Sequence, residues 1–551
     1  MVKNVRDARN AASHIRPGVV ALVNDALPPW EAMVDDLLFI RGVLERAGAT
    51  FLLVRGNDER PTIVVDIAQS ELVRSAFVTE MADEPFLLKT EGKKAGPAVL
   101  VADGLLSLGR SDRAFVLYRP RVSAQGGLRY GSKSGVRIES WVFGEDAIDA
   151  PTENALMRRR LPRSEVVEST VERFGHEWRT IEPMFATLSS DVTFDIDMVF
   201  SWVDGTDVEF QRARARRMKS YVVGEGDDHE ARFRQLDELR YALRSVHIFA
   251  PWVRRIFIVT DSPQPHWLAD QPKVTVVRSE EFFVDPSVLP THNSHAVESQ
   301  LHHIPGIAEH FLYSNDDMFF GRPVSPDMFF SPGGVSKFVE ATTRIGLGSP
   351  NPLRSGFENA ARVNRSLLAD RFGVTITRHL EHSAAPLTRS VMLELEAEFP
   401  EDFRRTAASR FRASTDVSVT NSLYHYFALA TGRAVEQTQA RSLYVETTLK
   451  LALRQMNKLL KRRDQDMFCL NDGSFPEISD EVRTEAVTDF LERYFPIVAP
   501  WERESVIAQS QHGEDTLIES ALGLGNGDVS AEPGSAWSLA APGMRADSPQ
   551  A

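Results

Sequence analysis

A single cysteine, Cys469, stands among 551 residues, which excludes an intrachain disulfide framework and fits a reducing compartment. No stretch approaches the roughly 18 consecutive apolar residues that a membrane-crossing helix needs. The opening residues 1–18, MVKNVRDARNAASHIRPG, are too polar to supply the apolar core of a secretory signal, so a cytoplasmic protein is expected. Positive charge is short too: 63 Lys and Arg against 77 Asp and Glu leave a net −14. Nucleic-acid binding asks for a broad basic surface, so nucleic acid is not an expected partner. Zinc-binding spacing is also missing. His379 and His382 lie three apart, His302 and His303 are adjacent and His292 and His295 lie nearby, yet no HExxH or CxxC accompanies them. There is no internal repeat.

What remains is an ordinary globular composition, 42% hydrophobic and 25% charged, in a chain long enough to bury a large core. Residues 1–150 read as an N-terminal α+β module. They combine a helical pattern around 35–47 with the strand candidates FLLV (51–54), TIVVDIA (62–68), AVLVA (98–102), AFVLY (114–118) and ESWVFG (139–144). Residues 151–190 read as a helical, basic linker. Residues 191–505 alternate strands and helices in the βαβ manner, which predicts an α/β core with a mostly parallel sheet. From about residue 511 to 551 the chain is rich in Gly, Ala, Ser, Pro and Asp, and a disordered tail is expected. Two basic clusters stand out: Arg212, Arg214, Arg216, Arg217 and Lys219, then Lys458, Lys461, Arg462 and Arg463. The second follows Leu451, Leu453, Met456, Leu459 and Leu460. That pattern is a solvated helix face over a core stripe, or a helix lying on a membrane surface.

Within the alternating region, three apolar runs stop at acidic residues. FDIDMVFSWVDGTD (194–207) ends in Asp204-Gly205 and Asp207, RIFIVTD (255–261) ends at Asp261, and HFLYSNDDMFFG (310–321) breaks at Asn315-Asp316-Asp317. Ligands of open α/β sheets bind beyond the carboxyl ends of the strands, so these runs place carboxylates around one crevice. Hard oxygen donors there suit Mg²⁺ or Mn²⁺ holding a diphosphate, which points to an activated nucleotide donor. The simpler reading of Asn-Asp-Asp is a turn, since both residue types form turns through local hydrogen bonds.

These segments, with ELRYALRSVHIFAPWVRRIFIVTD and LPTHNSHAVESQLHHIPGIAEHFLYSNDDMFFG, resemble the successive regions of the Stealth family. HLEHSAAPLTRSVMLELEAEFPEDF followed by FRASTDVSVTNSLYHYFAL resembles its third region, and FCLNDG (468–473) its fourth. The arrangement is similar to actinobacterial exopolysaccharide phosphotransferases, relatives of the N-acetylglucosamine-1-phosphotransferase catalytic subunit. The resemblance implies a GT-A-like core with a divalent cation. It implies transfer of a sugar 1-phosphate from a nucleotide sugar to a polysaccharide or oligosaccharide acceptor, with release of a nucleoside monophosphate.

The resemblance also implies roles. Asp316 and Asp317 hold the metal, Mg²⁺ or Mn²⁺, and Asp317 is catalytic with it. Asn315 belongs to the same element. Trp202, Asp204 and Asp207 lie around the nucleotide, although core packing is an equal reading for Trp202. Arg240, with Arg244 and Arg255 as weaker candidates, is a diphosphate clamp. His382 is the general base on the acceptor hydroxyl, Arg412 a phosphate-stabilising cation, and Asp416 orients one of them. Arg389 and Asn471 contact substrate. The proline after His382 stands at 386, later than in the His-x-Pro of eukaryotic relatives. Cys469 reads as a small buried residue rather than a nucleophile. Two other functions fit the same crevice: a metal-dependent GT-A glycosyltransferase releasing a nucleoside diphosphate, and a non-catalytic glycan or nucleotide-sugar binding protein. Peripheral attachment to the inner face of the plasma membrane and a homo-oligomer stay open.

Overall fold

The computed structural model describes residues 21–91, 96–104, 113–205, 207, 211–212, 215, 235–473 and 476–503. Arg214, Arg216, Arg217, Lys219 and the 511–551 tail lie outside the described residues. The fold is mixed α/β with several sheets.

The acid-tipped runs become neighbouring strands. A five-stranded sheet has the order Val274–Val277, Ile256–Val259, Ile196–Ser201, His310–Asn315, Ala385–Thr388. The first four run parallel and the last antiparallel. Side chains alternate between two cores: Met198, Phe200, Ile256, Ile258 and Leu312 enter one, and Val199, Phe257, Val259, Phe311 and Tyr313 the other. Burial on both faces is why these strands are near-continuous apolar runs rather than alternating ones. The helix Glu238–Phe249 lays Leu239, Ala242, Leu243 and Val246 into the first core and ends where Pro251 cannot continue it.

Connectivity then creates the crevice. From Ile196–Ser201 the chain moves outward through Ile256–Val259 to Val274–Val277, then returns to the other side of the first strand as His310–Asn315. The strand order therefore reverses between Ile196–Ser201 and His310–Asn315, and that reversal opens a crevice at their carboxyl ends. Ser201 pairs with both Val259 and Asn315, so the three strand ends are flush. A three-stranded sheet formed by Met318–Phe320, Met467–Asn471 and Ser442–Glu446 packs onto this edge. Leu470 N–H donates to the Asp317 carbonyl at 2.9 Å and fixes the approach.

The N-terminal part builds an eight-stranded sheet that includes Phe51–Val54, Thr62–Asp66, Ala114–Tyr118 and Val136–Phe143, with the helices Pro29–Arg46 and Ser70–Glu80. Its buried charge is compensated, because Asp36 is met by Arg119 at 2.7 Å and Arg121 at 2.8 Å.

Two expectations are corrected. Among the described residues, 151–190 holds no α-helix; Glu168–Arg173 and His176–Ile181 form an antiparallel hairpin. ESTVERFGHEWRTI alternates residue by residue, and Phe174 and Gly175 both take positive φ (53° and 72°), as a two-residue hairpin turn requires. Val297, Leu301 and Ile304 fall on one face at helical spacing, which predicts a single helix over 293–304, and the structure interrupts it. Ser294–Glu298 is α-helical, and a separate turn of 3₁₀-helix covers Leu301–His303.

Candidate functional site

Asp316 and Asp317 occupy the tight turn between His310–Asn315 and Met318–Phe320. Neighbours on both sides hold that turn. The Tyr313 hydroxyl donates to Asn315 Oδ1 at 3.1 Å, and Ser201 Oγ lies 2.8 Å from the same hydroxyl. Asp317 Oδ2 accepts from Asn471 Nδ2 at 3.0 Å and from the Cys469 thiol at 3.4 Å. Asp317 Oδ1 is buried with no hydrogen-bond partner. Burial, then the Asp317 charge, then Glu238 hold Asp316 well above the usual carboxylate range. Burial also raises Asp317, opposed by His382 and by the Asn471 bond. Two adjacent carboxylates, each disfavouring the other's charge and one with a bare oxygen, fit a bound cation.

His382 faces Asp317 closely enough for their charges to interact. Its ring packs edge-on against Tyr444 at 5.0 Å and lies 6.4 Å from Phe357. Burial pulls its pKa down and the Asp317 charge pulls it back up, with burial prevailing. Burial and the same carboxylate push the Cys469 thiol far up, so it is a protonated hydrogen-bond donor and not a nucleophile.

A second group centres on Arg412 and Glu298. Arg412 Nη2 donates to Ser294 Oγ at 2.9 Å. Glu298 is fully buried and accepts from Thr420 Oγ1 at 2.6 Å; burial raises its pKa against that bond and the Arg412 charge. Tyr313 joins the two groups, since its pKa is raised by burial, by Glu298 and by Asp316 and lowered by Arg412. Glu298 is the residue that sequence reasoning overlooked. A glutamate flanked by Ala296, Val297 and Leu301 was the available signal, because a carboxylate in a buried stripe needs a partner.

Asp416 sits just beyond Arg412. Its Oδ2 accepts from Asn293 Nδ2 and from Ala413 N–H, each at 2.8 Å, and burial pushes its pKa up to about 6. It therefore fastens the backbone next to Arg412 and does not orient His382 by any contact.

The other predicted residues divide. Trp202 is buried in the core and donates Nε1–H to Gln235 Oε1 at 3.1 Å, and Gln235 also bonds Asp316. Asp204 N–H donates to Ser262 Oγ at 2.9 Å and Asp207 N–H to the Asp204 carbonyl at 3.2 Å, a turn at the strand end. Asp261 caps the next helix through Ser279 N–H at 2.8 Å. Arg240 is engaged elsewhere: its Nε lies 2.5 Å from Glu502 Oε2, and Arg244 forks onto the same carboxylate at 2.6 and 2.7 Å. Both arginines belong to this buried ion-pair network. Arg255 bonds the Gly306 carbonyl, and Arg389 Nε donates to the His302 carbonyl at 2.9 Å. Asn315, Asp316, Asp317, His382 and Asn471 thus come together, with Arg412 joined through Tyr313, while Arg240 and Arg389 hold the fold. Away from these, His302, His303 and Glu396 form a group whose ligand atoms lie within 4.8 Å of one another.

A mixed α/β chain with paired carboxylates at the switch point of a parallel sheet defines the class. Four family regions identify it further: Stealth conserved region 1 matches residues 194–222, region 2 residues 232–338, region 3 residues 381–429 and region 4 residues 457–510. The chain belongs to the Stealth family. It is 58% identical over 488 residues to the exopolysaccharide phosphotransferase CpsY of Mycobacterium tuberculosis, covering 89% of this chain and 92% of that one. The CpsY of Mycobacterium leprae is 58% identical over 92% of this chain and 93% of its own. An exopolysaccharide phosphotransferase of Nocardia farcinica is 51% identical over 88% and 90%. The solved galactosyltransferase LgtC aligns with 55% of this chain and 97% of its own at 11% identity and a TM-score of 0.28, too low to argue from.

Proposed function

We propose that the protein transfers a hexose 1-phosphate from a nucleotide sugar, a UDP-sugar in the first instance, to a hydroxyl of a glycan acceptor. The product is a phosphodiester of an exopolysaccharide or capsule, and the leaving group is a nucleoside monophosphate. Relatives named exopolysaccharide phosphotransferases, at 51% and 58% identity over most of both chains, support this reading. In the site the observation that carries it is Asp317, whose Oδ1 is buried and unpartnered beside a second carboxylate. We read residues 191–505 as the transferase unit with a GT-A-like core, supported by four parallel strands that end flush at the crevice.

Asp316 and Asp317 are the residues that would hold Mg²⁺ or Mn²⁺. The ion would neutralise the donor diphosphate and the charge on the transferring phosphoryl group. His382 is neutral near pH 7 because burial lowers its pKa. It takes the proton of the acceptor hydroxyl as that oxygen attacks the sugar-bearing phosphorus. One oxygen–phosphorus bond forms while the bridging bond breaks, and the bonding pair leaves on the nucleoside monophosphate. Arg412, steadied by Ser294 and by the Asp416 anchor, stabilises the equatorial phosphoryl oxygens, with Glu298 behind it. Asp204 and Asp207, at the end of the neighbouring strand, lie on the nucleotide side. We place the enzyme in the cytoplasm, at the inner face of the plasma membrane, a reading supported by its single cysteine; no described helix is long and apolar enough to cross a membrane.

The decisive experiment incubates purified protein with UDP-sugars, acceptor and Mg²⁺ or Mn²⁺. Acceptor-dependent UMP and retention of phosphorus in the product are expected. Chelation should stop turnover and added Mg²⁺ or Mn²⁺ should restore it. UDP as the nucleotide product, with a phosphate-free glycoside, would reassign the protein as a glycosyltransferase.

A further inference from the structure

His302 and His303 lie on the short turn Leu301–His303 that precedes the strand His310–Asn315, and Glu396 lies on the helix Arg389–Glu398. Consecutive residues seldom aim at one atom, yet both imidazoles do. His302 Nε2 is 2.8 Å and His303 Nε2 2.9 Å from the same Glu396 Oε2, with the rings 4.0 Å apart and tilted by 41°. The floor of the group is closed: His302 is wholly buried, with Phe403 edge-on at 6.3 Å, and its Nδ1 has no hydrogen-bond partner. The outer side is open, since the side chains of His303 and Glu396 are 23% and 25% exposed.

Two imidazoles and one carboxylate, with an open side for water, are the donor set of a four-coordinate zinc-type ion. Mg²⁺ would ask for about six oxygen ligands, which this group lacks. Bonds of about 2.0–2.1 Å at tetrahedral angles separate ligand atoms by roughly 3.3 Å. The nitrogens therefore need to draw back from Oε2 by about half an ångström, and all three ligand atoms already lie within 4.8 Å of one another. We propose that His302, His303 and Glu396 form a metal site for a zinc-class divalent ion, distinct from Asp316 and Asp317. Such an ion clamps the helix Arg389–Glu398 to the turn that feeds the Asn315–Asp317 strand end. Arg389 already ties the same two elements through the His302 carbonyl at 2.9 Å. In the sequence the adjacent His302 and His303 stand out without zinc-binding spacing, because the third ligand lies 94 residues beyond the first.

The test uses the full chain, stripped with chelator and titrated with Co²⁺ as a spectroscopic stand-in, followed by displacement with Zn²⁺. About one Co²⁺ per chain with the visible absorption of a four-coordinate ion is expected, and Zn²⁺ should bleach it. Glu396→Gln, close to isosteric, and His303→Ala, at the partly open position, should each weaken binding by roughly tenfold or more. Zinc should raise the thermal midpoint of the wild type and not of Glu396→Gln, with circular dichroism checking that the metal-free variants are folded. Asp317→Asn should keep the four-coordinate Co²⁺ absorption of the wild type, whatever ion its own carboxylate pair loses. Absence of the absorption, an undiminished absorption in folded Glu396→Gln, or its loss in folded Asp317→Asn would overturn the proposal. None of these readouts depends on sugar-phosphate transfer, so the two readings stand or fall separately.

Discussion

Asp317 is held through one oxygen and left bare on the other. Asn471 and Cys469 fix Oδ2, so the carboxylate cannot swing away, while Oδ1 stays buried and unpartnered. Leaving a buried carboxylate oxygen without a partner is costly in the absence of a cation. Asp317→Asn keeps the shape and removes the charge, and should lower turnover roughly a thousandfold, several kcal/mol of transition-state stabilisation. Circular dichroism should stay unchanged, and near-normal rates in this variant would remove Asp317 from the chemistry. His382 tests a different step. His382→Ala should reduce kcat far more than it raises the donor KM and should erase the acidic limb of the pH–rate profile, where the imidazole becomes protonated and ceases to be a base. Arg412→Lys should also be poor, because an ammonium cannot reproduce the planar fork of a guanidinium, yet its pH profile should keep the wild-type shape. An unaltered profile in His382→Ala would reassign that residue to packing against Tyr444 and Phe357.

At the scale of elements, the loop carrying Arg412 shows how a buried acid can position a cation while costing stability. Asp416 holds Ala413 N–H and Asn293, and burial raises its pKa from 3.8 to about 6. The native state thus binds the proton more tightly than the unfolded chain. The sign follows: below about pH 4 both states are protonated and there is no penalty, stability falls as pH rises towards 6, and the full penalty of about 3 kcal/mol persists above it. Asp416→Asn keeps an oxygen for both donors and has no such titration. Its stability relative to wild type, read from urea midpoints, should rise between about pH 4 and pH 7; a difference that is flat with pH would refute the assignment. Legibility in the sequence follows from the same local-versus-distant distinction. FLLV and AFVLY were readable because strand residues sit between clear breakers, and they appear as Phe51–Val54 and Ala114–Tyr118. The hairpin over 168–181 was hidden by its charged residues, which lie on an exposed edge while Trp178 and Ile181 are buried. Asn315, Asp316 and Asp317 were readable as a strand end. Glu298 with Arg412, and the engagement of Arg240 by Glu502, were not, because each depends on segments more than 100 residues apart that only packing brings together.

Across the whole molecule, the N-terminal segment is packed into the same hydrophobic core as the family regions. Leu128 and Tyr130 share a core with Val487, Phe490, Leu491 and Tyr494 of the helix Asp480–Tyr494. Gly127 is the point of closest approach, since a Cβ there would lie 1.9 Å from the Arg493 carbonyl oxygen. Arg463 stitches the junction. Its Nε donates to the Gly127 carbonyl at 2.8 Å, its Nη2 to the Tyr494 carbonyl at 2.9 Å, and its guanidinium covers the Tyr494 ring at 3.8 Å. Both sides of the contact are backbone, so neither can yield by changing rotamer. Gly127→Ala must therefore push the segment off the helix end, at a cost of about 1–3 kcal/mol from overpacking and partly unmade Arg463 bonds. Because the core is shared, wild-type protein should unfold in one calorimetric transition. Gly127→Ala should lower its midpoint by several degrees and broaden or split it as the two parts uncouple. An unchanged single transition in Gly127→Ala would mean that the junction contributes little and that the two parts are joined by the chain rather than by packing.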